Sequence, residues 1–288
     1  MSVIKVNKIT FVGDIICDKE MLKAGKIGKN SYNFDEMFLP LKDYFKDSSY
    51  VIGNLETVIS NRNYTDSVFS FCNPEELVKS LKDIGINALS LANNHVLDRG
   101  EDGIKSTIKY LKKYNIKYFG VNNKNLYIKL KNAKICVLSY TDSTNYHVNK
   151  CNNFNCVNLL KPPNMSIPRK KKNFFSRMYH KLSPNIRINI NNLLKKKIKP
   201  IIDRCGKYDE LDEYIKPLKR NIKEQKNNGY YTVMYSHMGG QFNVAVGEYS
   251  LKMANKFKEF GVDSLISTHP HIIQKMEKKD NCFCFYSI

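Results

Sequence analysis

Short apolar runs alternate with amphipathic stretches from residue 8 to residue 140, and the alternation resumes after residue 229. This is the grammar of β–α–β units, in which crossover helices join parallel strands. The pattern predicts strands at Lys8–Val12, Tyr50–Ile52, Ala88–Leu91, Lys117–Phe119 and Ile135–Ser139, then at Tyr231–Tyr235, Val262–Ser267 and from Cys282 onward. Helices are expected at about 34–47, 74–84, 102–114, 208–227 and 249–260. The second is the best punctuated: Asn73 reads as its N-cap, Pro74 as N1, Glu76 as N3, and Gly85 follows its end.

Between about 143 and 207 the alternation fails. Asn-rich loops surround Pro162-Pro163, a basic run Arg169-Lys170-Lys171-Lys172 lies beside Phe174-Phe175, and Lys195-Lys196-Lys197 precedes Pro200. The chain therefore reads as one α/β domain built from 1–142 and 229–288, with 143–228 as a basic, Asn-rich insertion or cap. A chain of 288 residues is long enough to bury a sizeable core for such a domain.

The net charge of +20 is local rather than diffuse, because residues 161–200 hold 12 Lys/Arg and no Asp/Glu. A local basic patch suits an anionic partner, whereas a diffuse excess mainly tunes solubility. Three readings stay open for this segment: a solvated insertion, a peripheral contact with an anionic membrane, polymer or polymer synthase, and, as the weakest, nucleic acid. No apolar run approaches the ~20 residues that span a bilayer. Lys5-Val6-Asn7-Lys8 runs straight into the first strand, so no signal peptide is expected. These features predict a cytoplasmic protein, at most peripheral to the membrane. Eight cysteines without a regular framework fit a reduced compartment, and Cys151 with Cys156 makes only a weak zinc motif.

Chemistry concentrates at the expected carboxyl ends of the strands, where open α/β sheets bind ligands. The first strand ends in Gly13-Asp14 and the second in Gly53-Asn54-Leu55-Glu56. The third ends in Asn93-Asn94-His95 with Asp98 and Gly100 following, another in His237 before Gly239-Gly240, and the last in Thr268-His269-Pro270-His271. Each has an ordinary reading as a turn or a hydrogen-bonded structural histidine. In the last tetrad an extended backbone would point His269 and His271 to one side, with Pro270 ending the ladder at Ser267 or Thr268. Together these residues give imidazole, carboxylate and amide donors without thiolate, a set that suits a divalent ion such as Mn, Zn, Fe or Mg. Such ions polarise phosphoryl or carbonyl oxygens, so hydrolysis is the natural chemistry.

These motifs, in this order, resemble the CapA family of capsule and poly-γ-glutamate synthesis proteins, within the calcineurin-like metallophosphoesterase superfamily. The family's Gly-Asp, Asn-Leu-Glu and Asn-Asn-His motifs match Gly13-Asp14, Asn54-Leu55-Glu56 and Asn93-Asn94-His95 with Asp98 and Gly100. Its His-Trp-Gly matches His237-Met238-Gly239 and its His-Pro-His matches His269-Pro270-His271. The resemblance implies a four-layer αββα sandwich with the site at one sheet edge. It also implies Asp14, Glu56, Asn94, His237, His269 and His271 as metal ligands, His95 as general acid, and Asn54, Asn93 and Asp98 in secondary roles. The implied function is metal-dependent hydrolysis of a phosphoester or related anionic polymer during capsule or surface polymer synthesis. A non-catalytic, metal-binding assembly subunit is the alternative. The superfamily's first motif, Asp-x-His, stands here as Asp14-Ile15-Ile16, so one ligand is absent. Met238 replaces a Trp, Gln241 replaces a Glu, and the family's Tyr-Ser-Leu-Gly-Asn-Phe stretch is met only to Ile288, which predicts an incomplete last strand.

Overall fold

A computed structural model describes residues 7–62, 64–65, 70–145, 155–162 and 208–288, with side chains in the last stretch from 211 onward. Most of the 161–200 segment, with its basic clusters, and Cys151 and Cys205 lie outside the described residues. The first half supplies β1 (Ile9–Ile15), α1 (Lys19–Ala24), α2 (Asp35–Phe38), α3 (Lys42–Phe45), β2 (Tyr50–Leu55), β3 (Val58–Ile59), β4 (Cys72–Asn73), α4 (Glu75–Asp83), β5 (Ala88–Ser90), α5 (Gly100–Lys113) and β6 (Lys117–Phe119). The second supplies β7 (Leu126–Leu130), β8 (Ala133–Thr141), α6 (Tyr208–Tyr214), α7 (Lys216–Asn227), β9 (Tyr231–His237), α8 (Glu248–Glu259), β10 (Ser264–Thr268), β11 (Met276–Lys279) and β12 (Cys282–Phe285).

Two main sheets result. One is all parallel in the order β1-β2-β5-β6, and the other runs β11-β12-β10-β9-β8-β7 with antiparallel strands only at its two edges. Strands buried on both faces must be apolar at odd and even positions alike, and the side-chain period of two sends each parity to a different core. In β8, Val137 joins a central cluster with Ile52, Ala88, Phe119, Val233 and Ile266, while Cys136 and Leu138 join an outer cluster with Ile222 of α7 and Met253 and Phe257 of α8. A third cluster packs Val51, Leu55 and Leu89 under Leu77 and Leu81 of α4 and Ile104 and Leu111 of α5. Three apolar interfaces define four layers, the αββα sandwich. Burying each such side chain stabilises the fold by about 1.5–3 kcal/mol relative to exposure. Tyr235, fully buried between the sheets, donates its hydroxyl to Val12 O at 2.6 Å and ties one sheet to the other.

Local details differ from the sequence expectation for identifiable reasons. The helix expected over 34–47 is broken into α2, a 3₁₀ turn at Leu39–Leu41 and α3, since Pro40 has no N–H to continue the ladder. Pro74, not Asn73, is the N-cap of α4; Asn73 sits in β4 and donates to Cys17 O and Thr57 Oγ1. The 208–227 helix is two helices that meet at Ile215, with Pro217 in the first turn of the second. β7 and β11 were not anticipated; both are edge strands with exposed Lys129, Lys278 and Lys279, whose polar faces blur the apolar signal. Within 143–228, Leu159 bridges to Thr141, and Leu218 and Ile222 of α7 are buried in the second outer cluster.

Gly120 follows β6 with φ +87°, and a Cβ there would lie 2.8 Å from Ala92 Cβ and 2.9 Å from Ala92 N. It therefore presses directly on the segment that leads into Asn93-Asn94-His95. Gly229 also has positive φ, +75°, but open space around it. Gly120→Ala should cost more than about 2 kcal/mol and Gly229→Ala about 1 kcal/mol, because only the first adds a backbone clash to the left-handed strain. Urea unfolding of the two variants checks this, and equal losses would contradict the close-approach argument.

Candidate metal centre

The carboxyl ends of β1, β2, β5, β9 and β10 converge, and the convergence bridges both sheets rather than using the edge of one. On β1 the register with β2 slips between Phe11 and Asp14, so that Asp14 comes to lie opposite Asn54. Gly13 allows this, since a Cβ there would meet Ile288 O at 2.8 Å. Asp14, Asn54, Glu56, Asn93, Asn94, His95, Asp98, His237, His269 and His271 are thereby gathered in one contiguous cluster. β10 ends at Thr268, within the expected limit, but the histidine pair does not follow as extended chain: His269 has φ +98° and His271 φ +53°. Two non-glycine residues in this region cost about 1–3 kcal/mol each, and such strain gathers at functional sites. Their ring centroids are 5.9 Å apart.

His237 is the hub. Its Nε2 lies 2.9 Å from Asn94 Oδ1, 2.9 Å from His269 Nδ1 and 3.5 Å from Glu56 Oε1. Its Nδ1 lies 2.9 Å from Thr268 Oγ1, 3.1 Å from Asn54 Nδ2 and 3.3 Å from Asp14 Oδ1. Across the cluster His271 Nδ1 is 3.2 Å from Asp14 Oδ2, and its Nε2 is 3.9 Å from Glu56 Oε1. Asn54 Nδ2 donates to Asp14 Oδ1 at 2.7 Å, Asn93 Nδ2 donates to Asn54 Oδ1 at 3.1 Å and to Leu55 O at 2.8 Å, and the His269 N–H donates to Asp14 Oδ2 at 3.0 Å. The asparagines therefore orient the carboxylates and the strand end that carries Glu56.

Two overlapping groups could each hold a metal ion: Glu56, His237 and His269, all buried, and Asp14, Glu56 and His271, with ligand atoms within 4.8 Å of one another in each. Glu56 belongs to both. Its carboxyl group is completely buried, and neither oxygen has a hydrogen-bond partner. A buried anion without donors is costly unless a cation meets it, so these residues fit a divalent ion.

Electrostatics push the two carboxyls apart. Burial and then the Asp14 charge hold the Glu56 pKa well above the usual glutamate range. Burial would raise Asp14 too, but the His237 charge and hydrogen bonds from His237, His271 and Asn54 hold it well below. Burial, followed by the neighbouring His237, keeps His269 neutral by lowering its pKa well below the usual histidine range. Asp14 and His269 are thus held in the forms that donate to a cation, whereas Glu56 must release its proton to do so.

At one side stands His95, buried, with its ring 4.4 Å from the Phe71 ring. The Asp98 carboxylate accepts from His95 Nδ1–H at 2.7 Å and from the Phe71 N–H at 2.6 Å. The His95 Nε2 lies 3.9 Å from Glu56 Oε1 and 3.5 Å from Asn145 Nδ2. Sequence reasoning missed Thr268, Asn145, Phe71 and Asp142 as contributors. Asp142, which accepts from the Gly239 N–H at 3.3 Å, follows the end of β8, and the strand-end rule applied to that strand would have found it. Asn145 and Phe71 sit in loops whose approach to His95 no local pattern encodes.

A two-sheet α/β sandwich whose strand ends assemble a metal-capable histidine–carboxylate cluster defines the general class. Residues 8–288 match the family described as bacterial capsule synthesis protein PGA_cap, and the chain belongs to that family, within the metallophosphoesterase-like superfamily. It is 24% identical over 291 residues to the capsule biosynthesis protein CapA of Bacillus anthracis, covering 97% of this chain and 58% of that protein. It is 24% identical over 289 residues to the PGA biosynthesis protein CapA of Bacillus subtilis (strain 168), covering 97% of this chain and 61% of that one. The chain thus spans about three fifths of the length of these relatives. Among solved structures, a hypothetical protein from Thermus thermophilus superposes with a TM-score of 0.45 at 10% identity, over 97% of this chain and 75% of that one. No helix among the described residues is long and apolar enough to cross a membrane.

The sign of the Glu56 shift gives a test. A carboxyl whose folded pKa is raised stabilises the fold at low pH, and that contribution is lost as pH rises through the folded value. The metal-free protein should therefore lose stability as pH rises from the usual glutamate range toward the raised folded value. Glu56→Gln should raise its melting temperature at neutral pH and remove the gain on adding Mn²⁺. Thermal melts across pH check this; a Glu56→Gln variant less stable than metal-free wild type would contradict it.

Proposed function

We propose that this protein is a metal-dependent hydrolase of phosphoesters or related anionic polymer, acting in capsule or poly-γ-glutamate surface polymer synthesis. The observation that carries the reading is the partnerless Glu56 carboxyl shared by two donor groups, with a histidine–carboxylate pair beside it. Asn94, His237, His269 and Glu56 would hold one ion; Asp14, Glu56 and His271 would hold a second, less completely enclosed. A bound divalent cation supplies Lewis-acid polarisation of the substrate's phosphoryl or carbonyl oxygen.

His95 is the group that moves a proton. Asp98 fixes its ring and stabilises the imidazolium, and Nε2 delivers the proton to the departing oxygen. Asn145 orients the same nitrogen. Thr268 and Asn54 hold the His237 ring, so that Nε2 faces the donor set. The role of the 161–200 segment is a peripheral contact with an anionic polymer, membrane or synthase, and rests on charge alone.

A second reading, a non-catalytic metal-binding assembly subunit, is favoured by one observation: Ile16 stands where a further ligand for the Asp14 group would come from, which leaves three donors there. Elemental analysis and turnover on phosphomonoester and phosphodiester panels separate the two. The hydrolase should hold at least one ion per chain and lose it in His269→Ala. His95→Ala should keep the ion and lower kcat by about 10²- to 10⁴-fold. A wild-type protein without metal sinks the hydrolase reading, and stoichiometric metal without turnover selects the assembly subunit.

A further inference from the structure

A cleft of 420 Å³ opens between the end of β3 and the first turns of α5, with Arg99, the residue after Asp98, in its wall. Its walls carry Ser60, Asn61, Arg62, Arg99, Ser106 and Tyr110. Two arginines from separate segments, three hydroxyl residues and an amide line one space; the Asn61 Nδ2 also donates to Glu75 Oε1 at 3.4 Å. The geometry points to an oxyanion subsite that takes a phosphate or carboxylate of an anionic chain whose neighbouring unit occupies the metal centre. This deepens the hydrolase reading and rests on it for the second half of that statement.

Three features support it. First, Arg99 is fixed rather than free-swinging: its Nη1 donates to Ser70 Oγ and to Asp98 O, the latter at 2.9 Å. A pre-positioned guanidinium loses little entropy on meeting an oxyanion. Second, Gly103 lets α5 press against β3 beside it, since a Cβ there would meet Arg99 Cβ at 2.8 Å and Val58 Cγ1 at 3.1 Å. The start of a 14-residue helix is thus brought to the cleft, and its N-terminal dipole adds to the positive field. Third, the carboxylate that lines the cleft, Asp102, has a side chain 93% exposed and lies 3.4 Å from Lys105 Nζ, so its charge has a partner of its own.

The cleft shares its wall with the metal centre. Asp98, which holds His95, directly precedes Arg99; Ser70, which Arg99 touches, directly precedes Phe71, whose ring packs on His95. Ser60 lies four chain steps beyond Glu56, which bounds their Cα separation at about 14 Å. Successive anions of a polymer can bridge any separation up to that bound.

The test uses metal-free protein, so that the metal centre cannot capture the probes. Isothermal titration is run with inorganic phosphate, tripolyphosphate and a γ-linked glutamate oligomer, on wild type, Arg62→Gln, Ser106→Glu and His269→Ala. Saturable binding of at least one probe is expected, weakened about tenfold in Arg62→Gln, abolished in Ser106→Glu and unchanged in His269→Ala. Tighter tripolyphosphate assigns the subsite to a phosphate chain, and tighter glutamate oligomer assigns it to a carboxylate chain. No saturable binding by wild type, or binding indifferent to both Arg62→Gln and Ser106→Glu, overturns the subsite. Arg62-dependent binding in the stripped protein, when elemental analysis before stripping finds no ion, keeps the subsite and sinks the hydrolase reading, so the two failures are distinguishable.

Discussion

Glu56 carries a carboxyl group into a space that water does not reach, and neither oxygen finds a hydrogen bond there. A fold normally avoids such a placement, because an unpaired buried polar group costs about 1–3 kcal/mol and a charged one more. The surrounding arrangement follows from tolerating it: His237 and His271 approach from one sheet's strand ends, Asp14 stands opposite, and Asn93 clamps the strand end at Leu55 O. Without a cation, burial favours the protonated form of the group. A cation held by these residues would relieve the penalty that the buried carboxyl carries alone.

The layered architecture was legible in the alternation of apolar runs because strands buried on both faces carry so strong a signal. Val137 and its neighbours Cys136 and Leu138 serve two different cores, and no polar residue interrupts them. Edge strands β7 and β11 were hidden because their exposed lysines mimic loop. The site was legible for a different reason, since Asp14, Asn54, Asn93-Asn94-His95, His237 and His269 each sit at a strand end, and parallel strands bring all such ends together. What the sequence did not reveal was tertiary: the meeting of two sheets at the cluster, the left-handed backbone at His269 and His271, and the loop residues Phe71 and Asn145 that frame His95.

The positive φ at both histidines sharpens how the corner works. Pro270 alone would only end the ladder, whereas the two left-handed residues rotate the imidazoles out of the strand direction and toward Glu56 and Asp14. The Phe242 N–H, donated to Pro270 O at 2.7 Å, braces the turn from the neighbouring loop. Strain and brace together preset the donor geometry before any ligand arrives.

The hydrogen bond from Tyr235 to Val12 O also bears on how long a loaded molecule would last. Because the donors come from both sheets, partial opening of either one scatters them. Release of an ion would then require only a sub-global opening of one sheet, short of complete unfolding. Amide protons on β1, β9 and β10 should exchange as one cooperative block, and the lifetime of that block would set the residence time of whatever the cluster holds.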